Sequence, residues 1–513
     1  MIIDQLKKAK HFFSDTFYFS RNRKVFTKFL KNLIVEIDNY QDQRNSISIV
    51  ITPWQFTPVP WYSITIGILL AIKNKKVEFI LDDLHIDDII KGIPLADVIQ
   101  IKEIKKVLKI VEKFIPVKMI SQSGSNPINK EEIIQLKKLA KLNSISKFKT
   151  SISTKRSKKF QDLWLARQLV NYPRIKNFFK NNTVNHLLLP GGVYGNSGLI
   201  KLAQNKDTLI STYDGGKKRA FFSLYGIAGY QDDVNKILST NEFNNMNLDE
   251  IEYINKLVDT ELSLRIKGKD YYKTQVVSSS INRTNKYDIL MPLNITWDLP
   301  ALGKHVPFEN DFDWIIETAD FILSNTNASL AIRQHPQERN QSSGKDLKEF
   351  LLNRYKGQER VTFISATDKF NTYDLLEDAK IVLPYVSTIG IEAAILNKTV
   401  IVESDNYYSD KSFVIKCTDK NAYFSAIKEN LKENKKLPLT SIQEAKFTYY
   451  ISQLCTAEIT HFSPYPGDFE EWSKFTLDEI KNSKTINRII DSLDKRIAPG
   501  ILIHRNNLKM KNN

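Results

Sequence analysis

The sequence predicts a two-domain α/β protein in which each domain is a doubly wound parallel sheet. Three observations carry this. At 513 residues the chain exceeds the size at which a single core keeps growing. Short β-branched apolar runs alternate with helical patterns in two separate stretches. Those runs end in Pro, Gly, Asp or Ser, the residues that stop a strand and open a loop.

Residues 1–40 show helical spacing, with Phe26, Phe29, Leu30 and Leu33 on one face among many basic residues. A helix packed on the first domain and a membrane-surface helix both fit that pattern, and the packed helix is preferred. The run SISIVIT (46–52) then reads as a strand, and PWQFTPVP (53–60) as a loop that Pro keeps irregular. A helix is expected over 61–72 and a second strand over 76–81, ending at Asp82 and Asp83. Strand, crossover helix, strand is the parallel βαβ unit, so loops 53–60 and 82–85 are candidate cleft loops. Residues 86–180 depart from this alternation and are expected to form a helical insertion. Strand patterns resume at HLLL (186–189) and 208–212. A polar helical stretch over 240–275 bridges to the next domain.

The second alternating stretch opens with YDILM (287–291). An amphipathic helix (312–325), a strand (328–333), a strand (361–364) and a short helix (372–379) follow. A strand (381–384), a helix (391–396) and a strand (399–402) complete it. The expected boundaries are 1–275 for the first domain and 276–420 for the second. A helical segment over 421–513 is expected to pack back across the domains.

Composition excludes several classes. No apolar run approaches the roughly 18 residues of a membrane-spanning helix. The N-terminus lacks a signal-peptide pattern, and two cysteines make no disulfide framework. A cytoplasmic protein is expected. The net charge is +16, and residues 101–160 hold 16 Lys/Arg against 4 Asp/Glu. Such a stretch suits an anionic substrate or an anionic membrane face, and equally a solvated lysine-rich surface. Aromatic residues are not interleaved with these cations, so nucleic acid is not expected as a partner. No metal motif, P-loop, G-x-G-x-x-G fingerprint or G-x-S-x-G elbow is present, so neither a metal nor a cofactor is expected.

Four loops carry the candidate chemistry. In YVSTIGIEAA (385–394), Ser387 and Thr388 precede a helix opening near Gly390. Hydroxyls and free N–H groups there suit a phosphate, and Glu392 suits ribose hydroxyls. An ordinary capped helix start fits the same residues. In RQHP (333–336), Arg333 offers a charged fork, His335 a phosphate partner, and Pro336 stops the strand. In STYDGG (211–216), Asp214 is placed as a general base and Gly215 permits close approach, although Asp-Gly is also a common tight turn. In PGGVYGNSG (190–198), Gly191, Gly192 and Asn196 make a flexible anion-binding loop. Asn294, after the strand at 287–291, is a further cleft residue.

Taken in order, these motifs resemble the bacterial capsule and surface-polysaccharide glycosyltransferases of the GT-B type. Within them the pattern resembles capsular Kdo transferases and bacterial sialyltransferases. The residues carrying the resemblance are Asp214–Gly215, His335–Pro336 and Ser387–Thr388, together with PVPWY (58–62) and FILDD (79–83). The resemblance implies two Rossmann-like domains facing a cleft, with acceptor bound by the first and nucleotide-sugar by the second. It implies an acidic base, His-Pro contact with the donor phosphate, and a Ser/Thr pair holding phosphate or carboxylate. The family's acidic-acidic-Gly motif is Tyr213–Asp214–Gly215 here, so Asp298 is kept as a reserve base. The implied reaction is metal-independent transfer of Kdo or another acidic sugar, with inversion, from a CMP-linked donor. The acceptor would be an anionic glycan or lipid-linked, at the inner face of the plasma membrane through residues 101–160. Three rivals remain: a CDP-polyol phosphotransferase of the teichoic-acid type with His335 as base, a non-hydrolysing nucleotide-sugar epimerase, and a non-catalytic scaffold of polysaccharide assembly.

Overall fold

The computed structural model of the protein describes residues 2–35, 37, 46–54, 57–73, 75–84, 95–193, 195–216, 219–226, 231–270, 286–295, 303–340, 345–433, 435–459 and 474–511. The chain divides into two compact units. The first comprises Met1–Ala140, Phe160–Asp233 and Cys455–Asn507; the second comprises Lys141–Lys159, Val234–Leu454 and Leu508–Asn513. In chain order the strands are β1 (Ile47–Ile51), β2 (Val77–Leu81), β3 (Val117–Met119), β4 (His186–Pro190), β5 (Leu209–Gly216) and β6 (Arg219–Ser223). There follow β7 (Ile289–Pro292), β8 (Leu330–Arg333), β9 (Val361–Ile364), β10 (Ile381–Val382), β11 (Thr399–Val402) and β12 (Ile415–Lys416). The last is β13 (Ala457–Ile459).

The first unit holds a seven-stranded sheet in the order β13-β6-β5-β4-β1-β2-β3. The five strands from β5 to β3 are parallel. All five residues of β1, β2 and β4 are buried, which is the signature of strands covered on both faces. Successive residues point to opposite faces, and the core divides accordingly. Ile49, Ile51, Phe79 and Leu81 pack under Phe26, Phe29 and Leu30 of the N-terminal helix Ile2–Ile34, and under helices Val59–Ile72 and Leu95–Val111. Val50, Ile80, Leu187 and Leu189 pack on Tyr172, Ile175 and Phe178 of helix Lys155–Asn181 and on Leu199. Helix Val59–Ile72 lies close on β2 because Gly67 leaves room: a Cβ there would sit 2.4 Å from the Phe79 ring.

The second unit holds a six-stranded parallel sheet in the order β12-β11-β10-β7-β8-β9. Counted from β7 this is the 3-2-1-4-5-6 order of the Rossmann fold, with its switch point between β7 and β10. Local signals start its helices. Asn310 caps Asp311–Asn325, Asn371 caps Thr372–Asp378, and Asn247 with Glu250 forms a capping box on Leu248–Ile266. The expectation of two Rossmann-like sheets is met.

Several expectations are corrected. The unit boundary falls at residue 233 rather than 275, because helix Leu248–Ile266 packs against helix Leu439–Tyr449 of the second unit. Residues 455–507 belong with the first unit, where β13 extends its sheet. The stretch 86–180 is not purely a helical insertion: helix Leu95–Val111 is a crossover that returns to β3, parallel to β2. Residues 85–94 lie outside the described residues. Residues 213–216 are not a loop but the end of β5, paired antiparallel with β6. The helix expected from Trp61 begins at Val59, with Pro60 in its first turn, where no backbone donor is needed. Among the described residues no helix is long and apolar enough to cross a membrane.

Candidate functional site

Four sequence-distant segments converge at the carboxyl ends of the second sheet. Pro292 ends β7 and Leu293 follows it, Arg333 ends β8 and residues 334–336 follow it, residues 371–373 open the helix before β10, and Ser387, Thr388 and Ile389 follow β10. Together with Arg265 and Glu392 they line one cavity of about 610 Å³, part of it open to solvent. Ligands of open α/β sheets bind at such a switch point.

The loop after β10 is held through its backbone groups by side chains from elsewhere in the unit. Ser404 Oγ and Asn406 Nδ2 donate to the Tyr385 carbonyl, the latter at 2.8 Å. Tyr408 Oη donates to the Ser387 carbonyl at 2.8 Å. The Val386 N–H donates to Asn294 Oδ1 at 3.3 Å. The carbonyls are thereby tied down. The N–H groups of Ser387, Thr388 and Ile389 have no hydrogen-bond partner among the described residues. Gly390 lets the following helix, Ile389–Ile395, sit close: a Cβ there would lie 2.7 Å from Tyr408 Oη and 2.8 Å from Pro384 Cγ.

His335 is half-buried beside the cavity. Its Nδ1 accepts from the Gln337 N–H at 3.2 Å. Burial, with the Arg333 charge adding to it, lowers its pKa to about 4. The imidazole is therefore neutral near pH 7, and its proton sits on Nε2, the nitrogen left as a donor.

Two expectations about charged residues are corrected here. Arg333 does not extend a free fork. It is buried, with Nη1 donating to the Ser365 carbonyl and Nη2 to the Phe370 carbonyl at 3.0 Å. Burial lowers its pKa to about 10. Glu392 does not present an open carboxylate for ribose. Its Oε1 accepts from Arg265 Nη1 at 3.4 Å and its Oε2 from Tyr373 Oη at 2.9 Å. Arg265 Nε donates to Asp270 Oδ2 at 2.9 Å. Desolvation raises the Glu392 pKa, while Arg265 and Tyr373 oppose the rise. Arg265, Tyr373 and Asp270 were not among the sequence candidates.

In the first unit, Asp214 is the first residue of β5 past the last parallel pair, Pro190 with Tyr213. Its side chain is exposed, and its Oδ1 accepts from the Gly215 N–H at 2.7 Å. Desolvation by the surrounding protein raises its pKa, against the opposing pull of that N–H and of the Lys201 charge. The glycine loop is more committed than expected. The Gly191 N–H donates to the Tyr213 carbonyl at 2.8 Å, and Lys201 Nζ donates to the carbonyls of Pro190 and Gly192. Gly192 has φ +73°, which favours glycine. Asn196 is buried, donating to Asp82 Oδ1 at 2.9 Å, while Thr52 donates to Asp82 Oδ2 at 2.8 Å. It supports the loop rather than facing a ligand. Asp298 lies outside the described residues. No group of three or more His, Cys, Asp and Glu that could hold a metal occurs among the described residues.

Fold and site define a two-unit α/β protein with a cavity at the topological switch point of the second sheet. Residues 233–450 match the family described as capsule polysaccharide biosynthesis protein. The chain thus resembles capsule polysaccharide biosynthesis proteins, as its motifs imply. No curated protein matches it. Among solved structures, the Thermosulfurimonas dismutans KpsC beta Kdo 2,7 transferase is 15% identical with a TM-score of 0.32, over 63% of this chain and 88% of its own. The beta Kdo 2,4 transferase of the same KpsC is 16% identical with a TM-score of 0.34, over 51% and 78%. The Methanocaldococcus jannaschii UDP-GlcNAc 2-epimerase is 14% identical with a TM-score of 0.27, over 80% and 99%. None of these similarities assigns an activity.

Proposed function

We propose that the protein is a glycosyltransferase of surface-polysaccharide assembly. It moves Kdo or another acidic sugar from a CMP-linked donor to an anionic glycan or lipid-linked acceptor. One observation carries the reading: His335, Ser387 and Thr388, 52 residues apart and more in sequence, line a single cavity at the second sheet's switch point. The donor phosphate would be held by the N–H groups of Ser387, Thr388 and Ile389, the two hydroxyls, and the Nε2–H of His335. These fixed dipoles offset charge as the sugar–phosphate bond breaks and the oxygen leaves with the electron pair. The acceptor hydroxyl attacks the anomeric carbon, and its proton passes to a carboxylate base, the role the family resemblance gives to Asp214. Neither metal nor cofactor has a part in this scheme. It places the enzyme in the cytoplasm, at the inner membrane face.

Transfer of a polyol phosphate with His335 as base is the second reading. The tautomer speaks against it. With Nδ1 accepting from Gln337, the outward nitrogen already carries its proton and cannot take another without charging a half-buried ring whose pKa is lowered.

Thermal shift with CMP, CDP, UDP, GDP and ADP, with and without EDTA, tests the proposal. A ligand at a hundredfold excess over its Kd stabilises by about 2.7 kcal/mol, a rise of a few degrees in Tm. Stabilisation by CMP that EDTA leaves unchanged is the expected result. A CDP preference returns the polyol reading, and a UDP preference returns the epimerase. No response to any nucleotide sinks the enzymatic proposal in favour of a scaffold.

A further inference from the structure

The N-terminal helix Ile2–Ile34 has two faces with different duties. Phe19, Phe26, Phe29, Leu30 and Leu33 are buried. The opposite face repeats at helical spacing as Phe17, Arg21, Lys24, Lys28, Lys31 and Val35, and every one of these is exposed. Four cations thus run between two apolar ends. Phe17 is 71% exposed and Val35 77%.

The neighbouring helix enlarges this face. Helix Leu95–Val111 packs alongside, joined by Arg23 to Glu103 at 2.5 Å, and buries Ile104, Val107 and Leu108 in the same core layer. Its outward positions are Lys102, Lys106 and Lys109, continued by Lys113, again at helical spacing and all exposed. The described acidic side chains within the two helices, Asp97 and Glu103, are buried. Glu112, just past the second helix, is exposed. Lys106 also reaches Glu103, which partly offsets one charge. Two rows of cations, one on each of two neighbouring helices, are therefore exposed opposite the faces that enter the shared core.

We propose that these two helices form a docking surface for an anionic lipid membrane. Lysines meet the headgroups, and Phe17 with the adjacent Tyr18 enters the headgroup boundary. The apolar ends favour lipid over a soluble polyanion, since an aromatic ring at the rim has no use in a purely electrostatic contact. The surface is distinct from helix Lys130–Phe148, which contributes many of the cations of residues 101–160. The inference stands on the helices alone and does not depend on the transfer reaction.

The full-length protein should sediment with vesicles of phosphatidylcholine mixed with phosphatidylglycerol, and not with phosphatidylcholine alone. High salt should release it. Each lysine removed should lower partitioning roughly fivefold, so the Lys24→Glu/Lys28→Glu variant should lose more than about twentyfold. Phe17→Ser should weaken binding while leaving the salt dependence. Lys137→Glu/Lys138→Glu, on exposed positions of helix Lys130–Phe148, should bind as wild type. All the substituted positions are exposed, so melting temperatures should stay unchanged. Three results would overturn the proposal: no binding to anionic vesicles, equal loss in the Lys137/Lys138 variant, or duplex DNA or heparin bound as tightly as vesicles with no effect of Phe17→Ser.

Discussion

Arg265→Ala should destabilise the second unit in a way that depends steeply on pH. Arg265 lies between Asp270 at 2.9 Å and Glu392 at 3.4 Å, and all three side chains are at most a tenth exposed. Removing the cation takes away the guanidinium that the buried Asp270 and Glu392 carboxylates share. Breaking a buried ion pair in this way costs about 3–5 kcal/mol. For a unit of this size each kcal/mol lowers Tm by about 2–4 °C, so a fall of about 6–20 °C is expected near pH 7.5. The sign of the pH dependence follows from desolvation, which raises the Glu392 pKa even with Arg265 present. Without Arg265 the rise is larger. A carboxyl with a folded pKa above its unfolded value binds more protons when folded. Its stabilising effect is complete below the unfolded value and is lost as pH rises through the folded one. The deficit should therefore be largest above about pH 7 and shrink toward about pH 4.5. Calorimetry of wild type, Arg265→Ala and Arg265→Ala/Glu392→Gln across this range measures it, and the double variant should recover part of the loss at high pH. A deficit that is the same at every pH, or a Tm change below about 2 °C, would refute the reasoning.

Other consequences can be measured on the same protein. Gly390→Ala forces a Cβ to within 2.7 Å of Tyr408 Oη, and overpacking of this kind costs about 1–3 kcal/mol. Melting should fall, and calorimetric titration should show nucleotide binding weakened by about tenfold or more. Asn294→Ala leaves the Val386 N–H without its acceptor, a change worth about 1 kcal/mol. Nucleotide Kd should rise about fivefold, and Tm should fall by about 2–4 °C. For His335 the folded pKa is depressed from 6.5 to about 4. Its contribution to stability is present above 6.5 and lost as pH falls toward 4. Nucleotide affinity should be flat from about pH 6.5 to 8, and His335→Gln, which keeps a donor, should bind better than His335→Ala. Lys201→Met removes the charge that opposes the raised Asp214 pKa. The acid limb of the rate profile should then move to higher pH, while nucleotide affinity stays the same.

How far the fold was legible depended on how much sequence each element had in which to show its period. The strands Ile47–Ile51, Val361–Ile364 and Thr399–Val402 are β-branched runs bounded by polar or turn residues, and they stand where the pattern places them. The strand Val117–Met119 has three residues after Pro116, too few to show alternation, and it joins the sheet because β2 offers a free edge. The pairing of Asp214 with Phe221 was hidden for a different reason. Asp-Gly-Gly reads locally as a turn, and the antiparallel partner that makes it strand lies beyond two lysines. Tertiary pairing outweighed a strong local signal.

The cavity was half legible, and the division is physical. His335, Pro336, Ser387 and Thr388 follow strands, and a residue at the carboxyl end of a parallel strand has a known destination whatever its neighbours. Arg265 lies within a helix of mixed polarity, and nothing in its immediate sequence says where its side chain goes. A signal nevertheless existed. Ile254, Val258 and Leu262 recur at helical spacing on the buried face of Leu248–Ile266, and Arg265 is the next position on that face. An arginine on an apolar stripe must find carboxylates or unfold the helix. Glu392, one turn into a short apolar helix, raises the same demand from the other side, and the two charges answer each other. A carboxylate at a nucleotide site is readily assigned to ribose. Here its burial with a matching arginine makes it the anchor of the helix that follows β10, and if the cavity takes a nucleotide, its ribose must meet other residues.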